Sequence, residues 1–176
     1  MIITVSGLIG SGKSTLAKEL ADRFNLRYIS PGMIMRDMAK KRGMTLLEFS
    51  RYAEKNPEID EEIDKLQKRL SRNGYCVVDG RLSSYFIDSD LKIWLRASLD
   101  VRARRISDRD KIPLELARKG ILERERSERL RYKKFYGIDL DNLDIYDIIL
   151  NTDKFDAREM TEIISTAVRL RMKNRE

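Results

Sequence analysis

The chain has 176 residues, of which 41% are hydrophobic and 37% are charged, and its formal net charge is +7. This length allows one domain with a sizeable core, and no apolar run reaches the roughly 18 residues of a membrane-spanning helix. Histidine is absent and Cys76 is the single cysteine, which excludes a histidine general base, an internal disulfide and a cysteine-rich metal site. We expect a single domain over residues 1–176, without a signal peptide, in the cytoplasm.

The first predicted strand runs directly into a glycine-rich stretch, Gly7-Leu8-Ile9-Gly10-Ser11-Gly12-Lys13-Ser14-Thr15. This stretch matches the pattern G-x-x-x-x-G-K-[ST], in which backbone N–H groups of a loop hold the phosphates of a nucleotide. Leu16, Leu20 and Phe24 follow at helical spacing, so the positive end of a helix points at the same phosphates. We predict that residues 7–15 bind ATP, with Lys13 at the β and γ phosphates and the Ser14 hydroxyl on Mg²⁺.

The second predicted strand, residues 26–30, is followed by several short helices instead of one crossover helix. Helical patterns cover residues 31–41, 45–55 and 59–70, which is more helix than a simple connection needs. At the carboxyl end of this strand the chain reads Ser30-Pro31-Gly32, with Arg36 one helical turn further on. Arg36 is therefore suited to hold the phosphate of a second, accepting molecule.

The third predicted strand, residues 75–79, ends in Asp79-Gly80-Arg81. Its continuous apolar run predicts a central position in a parallel sheet, where the carboxyl ends of the strands line the ligand crevice. Asp79 should therefore face the Mg²⁺ of the phosphate loop, and Arg81 should point at a phosphate in the same crevice. Gly80 permits a close approach of the backbone.

The remaining elements continue the alternation of strands and helices. We predict strands over residues 91–95 and 144–150, and helices over residues 99–108, 113–135 and 157–172. This alternation predicts an α/β fold with a right-handed, doubly wound sheet of five parallel strands. Arginines are concentrated between Arg96 and Arg131, and the guanidinium group suits bidentate recognition of phosphate.

The phosphate loop, the Ser-x-Gly-x-x-x-Arg of residues 30–36 and the Asp-Gly-Arg of residues 79–81 together resemble the nucleoside monophosphate kinases. The narrower resemblance is to the cytidylate kinases, whose Asp-Gly-Arg precedes a strand of the type Val-Lys-Ile-Phe-Leu-x-Ala-Ser. Residues 91–98 read Leu-Lys-Ile-Trp-Leu-Arg-Ala-Ser, and residues 102–105 are similar to the arginine-rich helix that enters the lid of these enzymes. Arg124-Glu125-x-x-Glu128-x-x-Arg131 corresponds to their lid pattern Arg-Asp-x-x-Asp-x-x-Arg.

The resemblance spans nearly the whole chain and is closest to the compact archaeal form of the cytidylate kinases. It implies transfer of the γ-phosphate of ATP to CMP and dCMP by a monomer that uses Mg²⁺. It also implies a core of about residues 1–30, 74–110 and 137–176, a monophosphate-binding insertion of about residues 31–73, and a mobile, arginine-rich lid of about residues 111–136. Many bacterial members continue with Asp-x-Gly-Thr after Asp-Gly-Arg, where this chain has Leu82-Ser83-Ser84-Tyr85.

The resemblance also implies roles for particular residues. Lys13, Arg124 and Arg131 are the predicted catalytic residues, and Ser14 and Asp79 are the predicted metal ligands. The predicted substrate-binding residues are Ser30, Gly32, Arg36, Asp64, Gly80 and Arg81. For the base itself the candidates come from the helix pattern: Asp60, Asp64 and Gln67 share one face of a predicted helix, and cytosine offers such a face a donor at N4 and acceptors at N3 and O2. Residues 151–153 are well placed for the adenine of ATP.

Three alternatives remain open on the sequence. Adenylate kinase is the nearest one, and shikimate kinase is more distant because it would want a carboxylate motif in place of Ser30-Pro31-Gly32. The net charge of +7 is also compatible with a nucleotide-dependent switch or an RNA-binding protein. This alternative is disfavoured because the chain has no Asn-Lys-x-Asp guanine motif and its arginines cluster where a lid is expected. We therefore expect ATP and CMP as partners, and neither nucleic acid nor a membrane.

Overall fold

The computed structural model describes residues 1–173, which form five strands and eight helices. The strands are β1 (Ile2–Gly7), β2 (Arg27–Ile29), β3 (Cys76–Asp79), β4 (Leu91–Arg96) and β5 (Ile148–Asn151). The helices are α1 (Lys13–Arg23), α2 (Pro31–Lys41), α3 (Leu46–Ala53), α4 (Glu58–Ser71), α5 (Ser83–Phe86), α6 (Leu99–Asp110), α7 (Leu114–Tyr136) and α8 (Ala157–Lys173). In this part of the chain no helix is long and apolar enough to cross a membrane.

The strands form one parallel sheet in the order β2-β3-β1-β4-β5. β1 is central, with Val5 opposite Asp79 of β3 and opposite Ile93 of β4. Ile3 and Val5 are fully buried, as expected for a strand covered on both faces. The predicted α/β fold with a doubly wound, five-stranded parallel sheet is confirmed. Because β1 and β3 are neighbours, the phosphate loop and Asp79 come together at one edge of the sheet.

Separate hydrophobic clusters cover the two faces of the sheet. On one face α1 and α8 pack on the strands through residues such as Leu20 and Ile164, which meet Val5. On the other face Cys76 of β3 packs with Ile87. Cys76 is fully buried, as its position in an apolar run predicts.

Two smaller clusters flank the carboxyl end of the sheet. Helices α2, α3 and α4 share a core around Phe49, Ala53 and Ile63. Helices α6 and α7 pack on each other and on the phosphate loop through Ile121 and Ile9. The α2–α4 unit and the α6–α7 unit therefore have separate hydrophobic cores, and α7 contacts α3 directly. The domain boundaries that the resemblance implies, and the mobility of the lid, stay predictions.

The structure differs from the predicted elements in two places. The predicted fifth strand starts too early, because the Tyr146 N–H donates to the Leu143 carbonyl in a turn and pairing with β4 begins only at Ile148. Asn151, predicted in the following loop, is the last residue of this strand. The short helix α5, Ser83–Phe86, was not predicted, since a single turn has no periodic pattern to detect.

Candidate active site

The phosphate loop connects β1 to α1 and is shaped by glycines that no other residue can replace without strain. Gly7 has φ +145°, and a Cβ there would lie 2.1 Å from the Leu95 carbonyl oxygen. Gly10 has φ +78°, and a Cβ there would lie 2.9 Å from the Arg102 carbonyl oxygen. Helix α1 then begins at Lys13 without a side-chain cap on its N-terminus. Its first N–H groups are therefore available to an anion.

Lys13 bends back over this loop, and its Nζ donates to the Leu8 carbonyl at 2.8 Å. Burial and the positive charge of Arg81 lower the pKa of Lys13 and Asp79 raises it, and the net value is about 8. The ammonium group therefore sits in a poorly solvated place beside another cation. An anionic phosphate in the crevice would relieve this unfavourable environment.

Asp79 gathers hydroxyl groups from three elements around one carboxylate oxygen. Its Oδ2 accepts from Ser14 Oγ at 2.5 Å, from the Tyr28 hydroxyl at 2.9 Å and from Ser30 Oγ at 3.5 Å. Burial and the nearby Asp79 raise the pKa of Tyr28, so its hydroxyl keeps its proton.

The oxygen atoms of Ser14 and Asp79 fit a hard cation such as Mg²⁺. Within residues 1–173, no group of three or more His, Cys, Asp or Glu side chains could hold a metal ion. Mg²⁺ is commonly bound by one or two carboxylates together with substrate phosphates, so the donor set here suits a metal that arrives with a nucleotide.

A cavity of about 780 Å³ extends from the phosphate loop to helix α4. Most of the predicted site residues line it: Ile9, Gly10, Gly12, Lys13, Ser14, Thr15, Ser30, Gly32, Arg36, Asp64, Asp79, Gly80, Arg81 and Arg124. The remaining phosphate-loop residues support the loop from behind. Gly7 contacts the β4 backbone, Leu8 accepts from Lys13, and the Ser11 carbonyl accepts from Thr152 Oγ1 at 3.0 Å.

Arg124 of α7 lines the cavity with a guanidinium group that is only partly satisfied. Its Nε is buried and has no hydrogen-bond partner among the described residues. Burial lowers the pKa of Arg124, Glu128 raises it, and the charges of Arg81 and Arg36 lower it again. Several cations thus converge on one region of the cavity, and a phosphate group is the ligand that would pair with them.

Arg81 connects the end of β3 to α7. Its Nη2 lies 2.6 Å from Oε2 of Glu128, and its Nη1 lies 3.8 Å from Oε1 of Glu125. Glu125 Oε1 also accepts from the Ile9 N–H at 3.1 Å and from Arg102 Nη1 at 2.8 Å. Helix α7 is therefore held to the phosphate loop itself. Glu125, Glu128 and Arg102 were missing from the predicted site residues, although all three lie in motifs that carried the resemblance.

Arg131 differs from the prediction that it acts on phosphate. It does not line the cavity and is 1% exposed. Its Nε donates to Asp60 Oδ2 of α4 at 2.7 Å, and its Nη1 donates to the Ser50 carbonyl at 3.1 Å and to Ser127 Oγ at 2.7 Å. The reason is geometric, because seven residues of helix separate Arg131 from Arg124 by roughly 10 Å. In this structure Arg131 joins α7 to α3 and α4.

The end of the cavity next to α4 combines apolar and hydrogen-bonding groups. Met35, Leu46 and Ile63 line it beside Asp64, Gln67 and Ser83. Asp64 accepts from the Tyr136 hydroxyl at 2.6 Å and from Gln67 Nε2 at 2.7 Å, and Ser83 Oγ donates to Gln67 Oε1 at 2.7 Å. Burial raises the pKa of Asp64 to about 6, although both of its hydrogen bonds lower it. An end of this kind suits a flat, polar ring.

Ser83 and Tyr136 were not predicted as site residues, whereas Gln67 and Asp60 were predicted together with Asp64 as candidates for reading the cytosine base. Ser83 lies in the segment that departs from the bacterial pattern, which is the one signal in the sequence that could have identified it. Gly80 carries no positive φ, but a Cβ there would lie 2.2 Å from Ser83 Oγ. The glycine therefore allows the chain to bring Ser83 next to Gln67.

The opposite end of the cavity is lined by Gly12, Arg105, Ala157 and Met160. Arg105 Nη1 donates to Thr152 Oγ1 at 2.9 Å, and Nη2 donates to the Thr152 carbonyl at 2.8 Å. The loop predicted to meet adenine is therefore attached to the phosphate loop and to α6. Arg105 is a further pocket residue that the predicted set lacked.

The similarity of this chain to known proteins agrees with the phosphate chemistry that the cavity suggests. Residues 2–154 match the model of the cytidylate kinase-like family. A cytidylate kinase of Methanocaldococcus jannaschii is 48% identical over 173 residues, which cover 96% of this chain and 97% of the relative. Cytidylate kinases of Methanobrevibacter smithii and Pyrococcus horikoshii are 48% and 45% identical, covering 97% and 96% of this chain and 99% and 88% of the relatives.

Solved structures share the fold at low identity. A shikimate kinase from Acinetobacter baumannii in complex with shikimate superposes with a TM-score of 0.60 at 13% identity, covering 95% of this chain and 92% of that one. A deoxyadenosine kinase from M. mycoides with bound dATP superposes with a TM-score of 0.59 at 16% identity, covering 96% and 100%. These two support the kinase fold alone, whereas the sequence relatives confirm the resemblance drawn from the motifs. The chain belongs to the cytidylate kinase-like family.

Proposed function

We propose that the chain transfers the γ-phosphate of ATP to CMP, giving ADP and CDP, and that it also accepts dCMP. The observation that supports this most directly is the cavity, which has a phosphate loop at one end and the Asp64 cluster at the other. Arg36, Arg81 and Arg124 lie along the same cavity, where two phosphorylated molecules would meet. Membership of the cytidylate kinase-like family supports the same activity.

Phosphoryl transfer needs positioning and charge neutralisation more than a strong base, which agrees with a chain that lacks histidine. In this proposal Lys13 and the phosphate-loop N–H groups hold the β and γ phosphates. Arg124 and Arg81 neutralise the charge that develops on the transferring group. Mg²⁺, when held by the oxygen atoms of Ser14 and Asp79, would supply further positive charge to the phosphates.

The acceptor is held by groups on the α2–α4 side. Arg36 binds the phosphate of CMP, with Ser30 and Gly32 at the N-terminus of α2 beside it. Ser30 Oγ accepts from the Met33 N–H at 3.3 Å and so caps this helix. At the far end Asp64 accepts a hydrogen bond from the N4 amino group of cytosine. Gln67, held by Ser83, directs its second amide N–H towards the ring.

The proposal includes the setting of the enzyme. We expect a monomer in the cytoplasm, where a single thiol such as that of Cys76 stays reduced. We expect no stable binding of RNA, and the affinity for a labelled RNA at two salt concentrations would test this point. Sedimentation of the purified protein, with and without nucleotides, would test whether the protein is a monomer.

A coupled assay of ADP release with ATP and a panel of acceptors tests the proposed function. CMP and dCMP should turn over much faster than AMP, and shikimate should give no turnover above background. UMP belongs in the same panel because it differs from CMP only at the Watson–Crick edge of the base. Equal or better use of AMP would contradict the proposal and favour an adenylate kinase.

Replacing Arg36 with alanine should weaken the binding of CMP with little effect on ATP. Arg36 contacts the acceptor phosphate in the ground state and the transition state alike, so KM for CMP should rise by about tenfold or more with a smaller change in kcat. Steady-state kinetics with each substrate varied in turn measure this. Arg42→Ala is the matched control, because Arg42 is exposed and does not line the cavity; its guanidinium donates to the Met38 carbonyl and lies over the Phe49 ring at 5.5 Å. An effect on KM for ATP alone would contradict the assignment of CMP to the α2–α4 side of the cavity and of ATP to the phosphate-loop side.

A further inference from the structure

The hydrogen bonds around Asp64 fix the orientation of its carboxylate. Tyr136 donates to Oδ2 at 2.6 Å from α7, and Gln67 donates to Oδ1 at 2.7 Å from α4 itself. Gln67 is 1% exposed, and its amide is held in turn by Ser83 of α5 at 2.7 Å. Each carboxylate oxygen has two lone-pair positions, so Asp64 keeps an acceptor for the cavity that it lines.

A carboxyl group in this position can distinguish cytosine from uracil, because its ionised and protonated forms prefer different bases. Position 4 of cytosine carries an amino group that donates, whereas position 4 of uracil carries a carbonyl that accepts. An ionised carboxylate only accepts, so it pairs with the amino group and leaves the carbonyl facing an unpaired negative charge. A protonated carboxyl has an O–H that can donate to the carbonyl instead.

The groups that face Asp64 come from α4 and α7 and act on its pKa in both directions. Burial and the charge of Asp60 raise the pKa of Asp64, whereas the hydrogen bonds from Tyr136 and Gln67 and the charge of Lys68 lower it, and the net value is about 6. Asp60 is in turn paired with Arg131 of α7 at 2.7 Å. The carboxyl is therefore mostly ionised above this pKa and mostly protonated below it.

We propose that the proton on Asp64 selects the pyrimidine, with CMP accepted by the ionised carboxylate and UMP by the protonated one, and that Tyr136 is the positioning residue that keeps Asp64 ionised near neutral pH. This inference rests on the proposed function and adds the residue pair that reads the base. Tyr136 acts through Asp64, because its hydroxyl stabilises the charged form by donating to it.

The parent protein supplies the first test. The ratio of kcat/KM for CMP to kcat/KM for UMP should be measured from pH 5 to pH 8 at saturating ATP and Mg²⁺. The profile of kcat/KM reports groups of the free enzyme, so the ratio should fall on the order of 10²-fold between pH 7.5 and pH 5. A ratio that does not change with pH would overturn the inference while leaving the CMP kinase activity standing. A parent that prefers AMP to CMP would overturn both.

Two variants test which residues cause the pH dependence of this ratio. Tyr136→Phe keeps the ring that packs edge-on against Phe86 at 5.1 Å between centroids, and it removes only the hydroxyl. The pH at the midpoint of the change in the CMP-to-UMP ratio should then be higher than in the parent, with KM for ATP unchanged. Asp64→Asn cannot titrate and can donate to a carbonyl, so its ratio should shift towards UMP and lose its pH dependence.

Tyr85→Phe is the matched control, since the Tyr85 hydroxyl donates outside the cavity to the Asp139 and Asn142 carbonyls. Its ratio should follow the parent at every pH. A Tyr136→Phe variant with the parent midpoint, or an Asp64→Asn variant with the parent pH profile, would contradict the proposal. Melting temperatures of all three variants at each pH separate a change in selectivity from loss of the fold.

Discussion

Replacing Lys13 with methionine is expected to reduce kcat/KM for CMP phosphorylation by at least about 10²-fold while the protein remains folded. Methionine keeps the aliphatic packing and removes the charge that, in the proposed function, holds the β and γ phosphates. The folded state lowers the pKa of Lys13 to about 8, which means that folding disfavours the charged form. Below this pKa the charge costs stability, so its removal should leave the melting temperature unchanged or higher.

The measurement pairs the coupled ADP-release assay with calorimetry at pH 7. Lys41→Met serves as a control of the same chemistry, because Lys41 is an exposed residue at the end of α2. The control should match the parent in both assays. A Lys13 variant that retained more than a tenth of the parent activity would contradict the phosphate role.

Replacing Arg131 with alanine is expected to have the largest effect on stability. Arg131 and Asp60 form an ion pair whose side chains are 1% and 8% exposed. Breaking a buried pair leaves an uncompensated charge and typically costs about 3–5 kcal/mol in the free energy of unfolding. In a chain of this size that corresponds to a fall in melting temperature of roughly 10 °C. Urea unfolding followed by circular dichroism measures the free energy directly.

A double variant separates the ion pair from simple loss of packing. Arg131→Met combined with Asp60→Leu removes both charges, and apolar replacements of a buried pair are often neutral or stabilising. The double variant should therefore be more stable than Arg131→Met alone. If the single variants of Arg131 unfolded at the parent urea concentration, the structural role described for this residue would be wrong.

Arg124→Ala provides the contrast on the same helix. Its Nε is buried and without a partner in the described residues, so its removal should not lower the melting temperature. If Arg124 meets the transferring phosphoryl group, kcat should fall by about 10²-fold. Arg124→Lys should rescue poorly, because lysine keeps the charge and loses the planar fork. A parent-like kcat in Arg124→Ala would remove it from the catalytic set.

The features that the sequence predicts well are local ones. The phosphate loop, the helix after it and the Asp-Gly-Arg turn each lie within a few residues, so a short stretch of sequence is enough to place them at the end of a strand. The right-handed, parallel arrangement of the five strands could also be predicted from the alternation of strands and helices, although their order in the sheet was not predicted. Asp79 then reaches the phosphate loop as a consequence of β3 pairing with β1.

The features that the sequence does not predict depend on contacts between distant elements. Arg131 and Asp60 are 71 positions apart, and no periodicity links them. Tyr136 and Asp64 are 72 positions apart, so no local motif indicates that the Tyr136 hydroxyl orients the Asp64 carboxylate. The fifth strand was predicted too long because the apolar pattern of residues 144–150 does not reveal the turn at Tyr146. Packing between elements decided each of these outcomes.

Helix α7 contacts residues in both halves of the cavity, and this has a thermodynamic consequence for the affinities of the two halves. Glu125 contacts the phosphate loop, whereas Tyr136, eleven residues further on, contacts the base end through Asp64. If a ligand in one half displaces α7, the contacts of α7 in the other half change as well, so we expect the binding free energies of the two halves to be coupled. Such coupling is reciprocal, and whatever factor CMP imposes on the affinity for ATP must equal the factor that ATP imposes on the affinity for CMP. We therefore expect that each substrate of the proposed reaction changes the affinity for the other through contacts of α7.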